Sequence, residues 1–239
     1  MISRRLKSTY YLVFSLPMRI NGALYKKFRC PRSGLKVHLG PGQKNYIEGW
    51  INVDANFINA RCDVWTDFAQ SLPFPDNSVD LLYSHHVMEH LPDTQLQRHL
   101  SEIYRVLREG GGLRIGVPHL GNACHKYVQG DHSWFSDFPD KRLSIGGRFT
   151  NFIFCRGEHL TALDESYLTE LARLVGFTDI KFCLPTKETT LDELGVNEDV
   201  LQKEWESDFS CPHTLIMEAK KQVAPRPVTN AALRKVVNV

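Results

Sequence analysis

Several residues in the first third of the chain are of types that can grip a nucleoside. Gly40 and Gly42 flank Pro41 directly after the apolar run Leu35–Leu39. Glycine at such a place lets the backbone approach a ligand without a Cβ clash. Asp54, followed by Ala55, closes a second apolar run, Trp50–Val53, where a carboxylate can accept two hydrogen bonds from a ribose diol. Asp67 stands beside Phe68, pairing an acceptor for an exocyclic amine with a ring that can stack on adenine. Each feature alone is an ordinary turn or cap, and their order and spacing carry the weight. The third glycine of a dinucleotide fingerprint is missing. About eleven residues separate Gly42 from Asp54, too few for the helix and the ~20-residue gap of a nicotinamide site, which disfavours a dehydrogenase.

Histidines form the second chemical group: His85, His86, His90, His119, His125, His132 and His159. Imidazole is the side chain best suited to take a proton near neutral pH. His86 and His90 stand four apart, a spacing that can bind zinc on one helix face. No further ligand follows at a fixed spacing, so no metal is expected. The six cysteines are scattered with no C-x-x-C and read as reduced, mostly buried thiols.

The elements that must position these residues alternate between strand and helix patterns, the sign of an α/β sheet. Strands are predicted at 35–39, 50–53, 60–64, 79–84, 113–117, 180–184 and 215–219. The apolar positions Leu96, Leu100, Ile103, Tyr104 and Leu107 predict a helix over 94–107, ended by Gly110–Gly112. Leu168, Leu171 and Leu174 predict another over 164–175, with Gly176 as its C-cap. Residues 71–78 form a turn-rich loop. In an open α/β sheet the ligand lies beyond the carboxyl ends of the strands, which is where Gly40, Asp54 and the histidines at 85 and 86 fall.

Charge is unevenly spread over the 239 residues. The net charge is +2, yet residues 1–47 hold ten Lys or Arg and no acid, and residues 219–239 hold five and no acid. An acidic body therefore carries two basic ends, which suit an anionic partner. Hydrophobic content of 42% excludes a disordered chain, and no run reaches the ~18 apolar residues of a spanning helix. Residues 1–30 read as a basic, aromatic segment that lies on a membrane surface or packs on the body. A signal peptide is disfavoured because Pro17 cuts the apolar run short and no small-x-small cleavage site follows. A body over 31–220 and a flexible basic tail over 221–239 complete the expected organisation. The location expected is cytoplasmic, peripheral at the inner face of a membrane.

Residues 35–184 resemble the class I S-adenosylmethionine-dependent methyltransferases, in particular the small bacterial methyltransferase-domain group. The carriers are Val37-His-Leu-Gly-Pro-Gly42, Gly49-Trp-Ile-Asn-Val-Asp54, Leu72-Pro-Phe-Pro-Asp-Asn-Ser-Val-Asp80, His86-Val-Met-Glu-His-Leu91, Tyr104-Arg-Val-Leu-Arg-Glu-Gly-Gly-Gly112 and Gly176-Phe177. The resemblance implies a Rossmann-like α/β sheet of seven strands, mostly parallel with an antiparallel last strand, and helices on both faces. It implies S-adenosyl-L-methionine as cofactor, with Gly40, Pro41 and Gly42 at its methionine part, Asp54 and Ala55 at the ribose, and Asp67 and Phe68 at the adenine. Ser84, His85 and His86 match the segment lining the methyl-transfer site. His38 departs from the acid that often precedes the glycine loop, and Gln43 stands near where a further glycine is common. No Asn/Asp-Pro-Pro-Tyr/Phe motif follows the fourth strand, which argues against amino methylation of the adenine or glutamine type.

In this family the stretch between the fifth strand and the last helix, here 119–163, builds the acceptor pocket. It is rich in aromatic rings, cations and imidazoles, which suit a sugar or another polar small molecule. The function expected is methyl transfer to a hydroxyl of a small molecule or glycan, in envelope polysaccharide or natural-product synthesis. His119 is the first candidate for the base, then His86 and His159. An RNA or protein methyltransferase and a non-catalytic scaffold are the alternatives. No DNA partner is expected, and the sequence does not give the oligomeric state.

Overall fold

The computed structural model describes residues 4–69 and 71–223. Seven strands form one sheet: β1 (Leu35–Leu39), β2 (Ile51–Asp54), β3 (Val64–Trp65), β4 (Val79–His85), β5 (Leu107–Pro118), β6 (Phe177–Cys183) and β7 (Thr214–Lys221). Their order is β3-β2-β1-β4-β5-β7-β6. The first five are parallel to one another, and β7 runs antiparallel between β5 and β6. The connection from β4 to β5 runs through α2 (Asp93–Val106), which packs beside α5 (Glu165–Val175). Their apolar positions Leu96, Leu100, Ile103, Leu168 and Leu171 are buried against Val37, Leu39, Leu82 and Ile115 of the sheet. The opposite face is closed by Ile47, Trp50, Leu191, Val196 and Val200 over Leu81 and Tyr83, Val200 lying in the short α6 (Glu198–Leu201). Burial on both faces is why the central strands read as apolar runs rather than alternations.

Two predicted boundaries move for a physical reason. The glycine run does not end α2, which stops at Val106. The strand β5 has already begun at Leu107, opposite Val79, and the register then jumps so that Gly112 faces Leu81. Gly110, at φ +69°, bends the four residues looped out between the two pairings. The third strand is Val64–Trp65 rather than 60–64, since the chain before it is held in turns by the Asp63 carboxylate, which accepts from the backbone N–H of Asn52. At α5 the predicted C-cap is found, Gly176 taking the left-handed conformation after the last turn, while Asp164 stands just outside the helix and accepts the Tyr167 N–H as its N-cap.

Pro17 does not cut the N-terminal helix. α1 runs from Arg4 to Phe28 through it, because the carbonyl that proline leaves unpaired is on Val13, an exposed residue that water can reach. The inward face of α1 docks on β3. Phe14 meets Trp65 edge-on, Met18 is fully buried, and Asn21 donates to the Trp65 carbonyl. Two further helices, α3 (Leu120–Gln129) and α4 (Ile145–Phe154), build a cap beyond β5 around Trp134, Phe135 and Ile153. The expected tail lies outside the described residues from position 224 onward.

Candidate active site

The sheet order reverses between β1 and β4, the switch point at which open α/β sheets bind ligands. A cavity of about 620 Å³ opens there. Gly40, Asp54, Ala55, Asp67, Phe68 and His86 line it, with Tyr11 of α1 and Val87, His90 and Leu160.

Gly40 leaves β1 at φ +71°, and a Cβ on it would stand 2.5 Å from Val87 Cγ2. Only glycine allows that closeness and that backbone angle together. Asp54 ends β2 nearly buried. One carboxylate oxygen accepts the Gly42 N–H (3.1 Å) and the other the Asn56 N–H (2.8 Å). A carboxylate has about four lone-pair directions, so these bonds fix the group and leave it acceptors for a ligand. Burial pushes the Asp54 carboxyl above the usual range, against the opposing pull of the Asn56, Gly42 and Ala55 N–H groups. The Ala55 carbonyl is held from α1 and from β3: Tyr10 Oη and Trp65 Nε1 both donate to it, at 2.7 and 2.9 Å. Asp67 accepts the Ala69 N–H, and Phe68 offers a half-buried ring beside it.

At the far wall stands a polar cluster built on Glu89. This residue lies in the tight turn Met88–His90 and is 1% exposed. His86 Nδ1 is 2.9 Å from Glu89 Oε1, and His159 Nε2 is 3.9 Å from the same oxygen. Burial by itself would raise the Glu89 carboxyl, but the His86 hydrogen bond and the neighbouring imidazoles outweigh it and hold it below the usual range. The Glu89 carbonyl also accepts from the N–H groups of Leu160 and Thr161 (2.7 and 3.2 Å), so the cap region is tied to this turn by backbone. Burial lowers the His159 imidazole, against the pull of Glu89.

The structure thus gathers Gly40, Asp54, Ala55, Asp67, Phe68 and His86 at one cavity and sets His159 behind it, on Glu89. Pro41 and Gly42 shape the loop without lining the cavity, the Gly42 N–H being spent on Asp54. Ser84 and His85 must be corrected. Ser84 is buried within β4, and the His85 ring packs on Gly116 of β5, where an added Cβ would meet it at 2.3 Å. His119 is corrected as well. It caps α3, accepting the Asn122 N–H, and lines a separate cavity with Phe182, Pro212 and Thr214. The reason is the sheet order: β5 pairs with β7, so its end continues alongside His213 rather than over β1. Glu89 and Tyr11 are not among the candidate site residues of the sequence, although Glu89 lies within the motif His86–Leu91. The His86-x-x-Glu89 spacing is a usable signal for the first. Nothing local marks Tyr11, which reaches the cavity only because α1 docks on β3.

Comparison with known proteins agrees with this geometry. The family model described as a methyltransferase domain matches residues 51–115. No curated protein sequence matches the chain. Among solved structures, one from Thermotoga maritima described as a SAM-dependent methyltransferase, possible histamine N-methyltransferase, shares 18% identity. The match covers 90% of this chain and 96% of that one at a TM-score of 0.51. A SAM-dependent methyltransferase from Archaeoglobus fulgidus shares 17% identity over 89% of this chain and all of that one, at a TM-score of 0.48. Residues 51–115 match the methyltransferase-domain model, and the seven-stranded sheet with its antiparallel β7 has the fold of the SAM-dependent methyltransferases. S-adenosylmethionine is the cofactor of that class, and the glycine turn, the fixed Asp54 carboxylate and the Asp67–Phe68 pair fit it.

Proposed function

We propose that the protein transfers a methyl group from S-adenosylmethionine to a hydroxyl of a small-molecule or glycan acceptor, in the building of cell-envelope polysaccharide. The observation that carries this reading is a single cavity with nucleoside-gripping residues on one wall and the His86–Glu89 pair on the other. Gly40, Asp54, Asp67 and Phe68 would hold the cofactor. When bound, it supplies an electrophilic methyl carbon on a sulfonium. The chain's own part is orientation, the largest contribution available to an in-line displacement. His86 stands at the cavity with its ring fixed by Glu89, placed to hold the acceptor hydroxyl, and the cluster offers the atoms to which its proton can pass. The test is transfer of labelled methyl from S-adenosylmethionine into polysaccharide, lipid-linked sugar, RNA and protein fractions. Label entering the sugar fractions is expected, with His86→Ala lowering the turnover number by about 10²–10⁴. Label entering RNA or protein instead would overturn the choice of acceptor.

The acceptor is further proposed to be met at an anionic lipid surface. α1 carries Leu12, Leu24 and Phe28 at least half exposed, as are Leu16 and Ile20 at the rim of a cleft against Leu72 and Pro73, with Arg19, Lys26 and Lys27 exposed beside them. No acid occurs before Glu48 to repel an anionic headgroup. Among the described residues no helix is long and apolar enough to cross a membrane, so the fit is to a helix lying in the interface. Because Tyr11 of the same helix lines the cavity, docking would bring the cavity near the lipid. Flotation with phosphatidylglycerol vesicles is expected to carry the wild-type protein. The double variant Leu12→Glu/Leu24→Glu should bind at least about tenfold more weakly, having lost two apolar side chains that the lipid would bury. Equal flotation, or conversion of a dimer to a monomer without any lipid effect, would refute it.

A further inference from the structure

The structure assigns a divalent transition-metal site to Glu89, His90 and His159, a carboxylate and two imidazoles whose candidate donor atoms lie within 4.8 Å of one another at the cavity wall. The sequence expectation of no metal rested on the absence of a third ligand at fixed spacing. The fold supplies one from the cap region, where His159 follows α4.

Hydrogen bonding on the outer side of each ring decides what faces inward. His159 Nδ1 is 2.9 Å from the Ile153 carbonyl, and His90 Nδ1 is 3.0 Å from the Glu158 carbonyl. A carbonyl only accepts, so in each ring Nδ1 carries the hydrogen, and in the neutral imidazole that binds metals Nε2 is left with a lone pair. The His159 lone pair then faces Glu89 Oε1 at 3.9 Å, acceptor against acceptor. Glu89 Oε2 is buried with no hydrogen-bond partner, although unpaired buried carboxylate oxygens are costly. A cation between them would satisfy all three groups at once. Imidazoles tied by their second nitrogen to a carbonyl are the usual support for metal ligation. His86, bonded to Glu89 Oε1, would orient the carboxylate.

Two nitrogens and one oxygen select a borderline first-row ion such as Co²⁺ or Zn²⁺ over Mg²⁺ or Ca²⁺. Bonds of ~2.0–2.2 Å require only a small inward movement of the three side chains. His90 is exposed and lines the cavity, so the open side of the ion would face the space where an acceptor must lie. There it would polarise an acceptor hydroxyl and ease loss of its proton. That role rests on the proposed methyl transfer, whereas binding of the ion does not.

Titration of the metal-free protein with Co²⁺, followed by visible absorption, tests the site directly. One equivalent of ligand-field bands is expected, with a rise in melting temperature. His159→Ala and His90→Ala should each weaken binding at least about tenfold. The exposed position of His90 makes its variant the one that folds if His159→Ala does not. Absence of bands with Co²⁺, together with no thermal shift from Zn²⁺, would overturn the site. So would binding unchanged in both variants. S-adenosylhomocysteine affinity is measured in parallel: cobalt bound without nucleoside binding defeats the methyl-transfer reading alone, and the converse defeats the metal site alone.

Discussion

Asp54→Ala is expected to weaken S-adenosylhomocysteine binding by about 10²–10⁴-fold in isothermal titration calorimetry. Hydrogen bonds to a charged acceptor contribute ~1.5–3 kcal/mol each, and a ribose diol would draw on two of them. The variant also frees the Gly42 and Asn56 N–H groups that the carboxylate now holds, so the loop that positions Gly40 loses its tie. Asp54→Asn keeps one carbonyl oxygen and should fall between. Asp67→Ala removes a single acceptor toward the exocyclic amine and is expected to cost about tenfold. An unchanged affinity in Asp54→Ala would remove the cofactor site, and the enzyme assignment with it, whatever the fold resembles.

Asp54 was legible because the signal is local. A carboxylate at the end of an apolar run, shortly after a Gly-x-Gly, needs only the strand periodicity to be placed. The same holds for Gly40 and for the α5 C-cap, where Gly176 acts within a few residues of itself. His119 was misplaced because its position depends on which strand lies beside β5. Periodicity says that β5 ends at the carboxyl edge, but not that the antiparallel β7 sits between it and β6. The Glu89 cluster was missed for a related reason. Its members come from a turn after β4 and from the loop after α4, and only tertiary packing joins them. Trp65 and Tyr10 show the same limit: an aromatic on a two-residue strand and another on a remote helix share the Ala55 carbonyl, and no window of sequence contains both.

Arg114 is the extreme case of that limit, and its replacement by methionine is expected to cost more stability than any of the substitutions at the cavity. It sits in the middle of β5, in a run that reads as an apolar strand, and is fully buried. Its guanidinium grips Glu204 with two nitrogens, Nε and Nη2 at 2.6 and 2.8 Å, and bonds Glu218, its cross-strand neighbour on β7, through Nη1. Both carboxylates are buried as well. Further donors complete the shell: Thr189 and Thr190 hydroxyls on Glu218, and the Thr186 N–H on Glu204. Burial alone would lower the Arg114 pKa, but the two carboxylates outweigh it and raise it. Removing the cation leaves two anions in a water-excluded layer, for which a cost of ~3–5 kcal/mol is typical. Urea denaturation at neutral pH should show that loss as a lower midpoint. The triple variant Arg114→Met/Glu204→Gln/Glu218→Gln should recover a large part of it, because the net worth of such a cluster against neutral side chains is small. A single-variant loss below ~1 kcal/mol would mean that water reaches the layer and that the three charges do not form a closed unit. A triple variant no better than the single one would place the contribution in Arg114 itself, through its packing between β5 and the segment after α6.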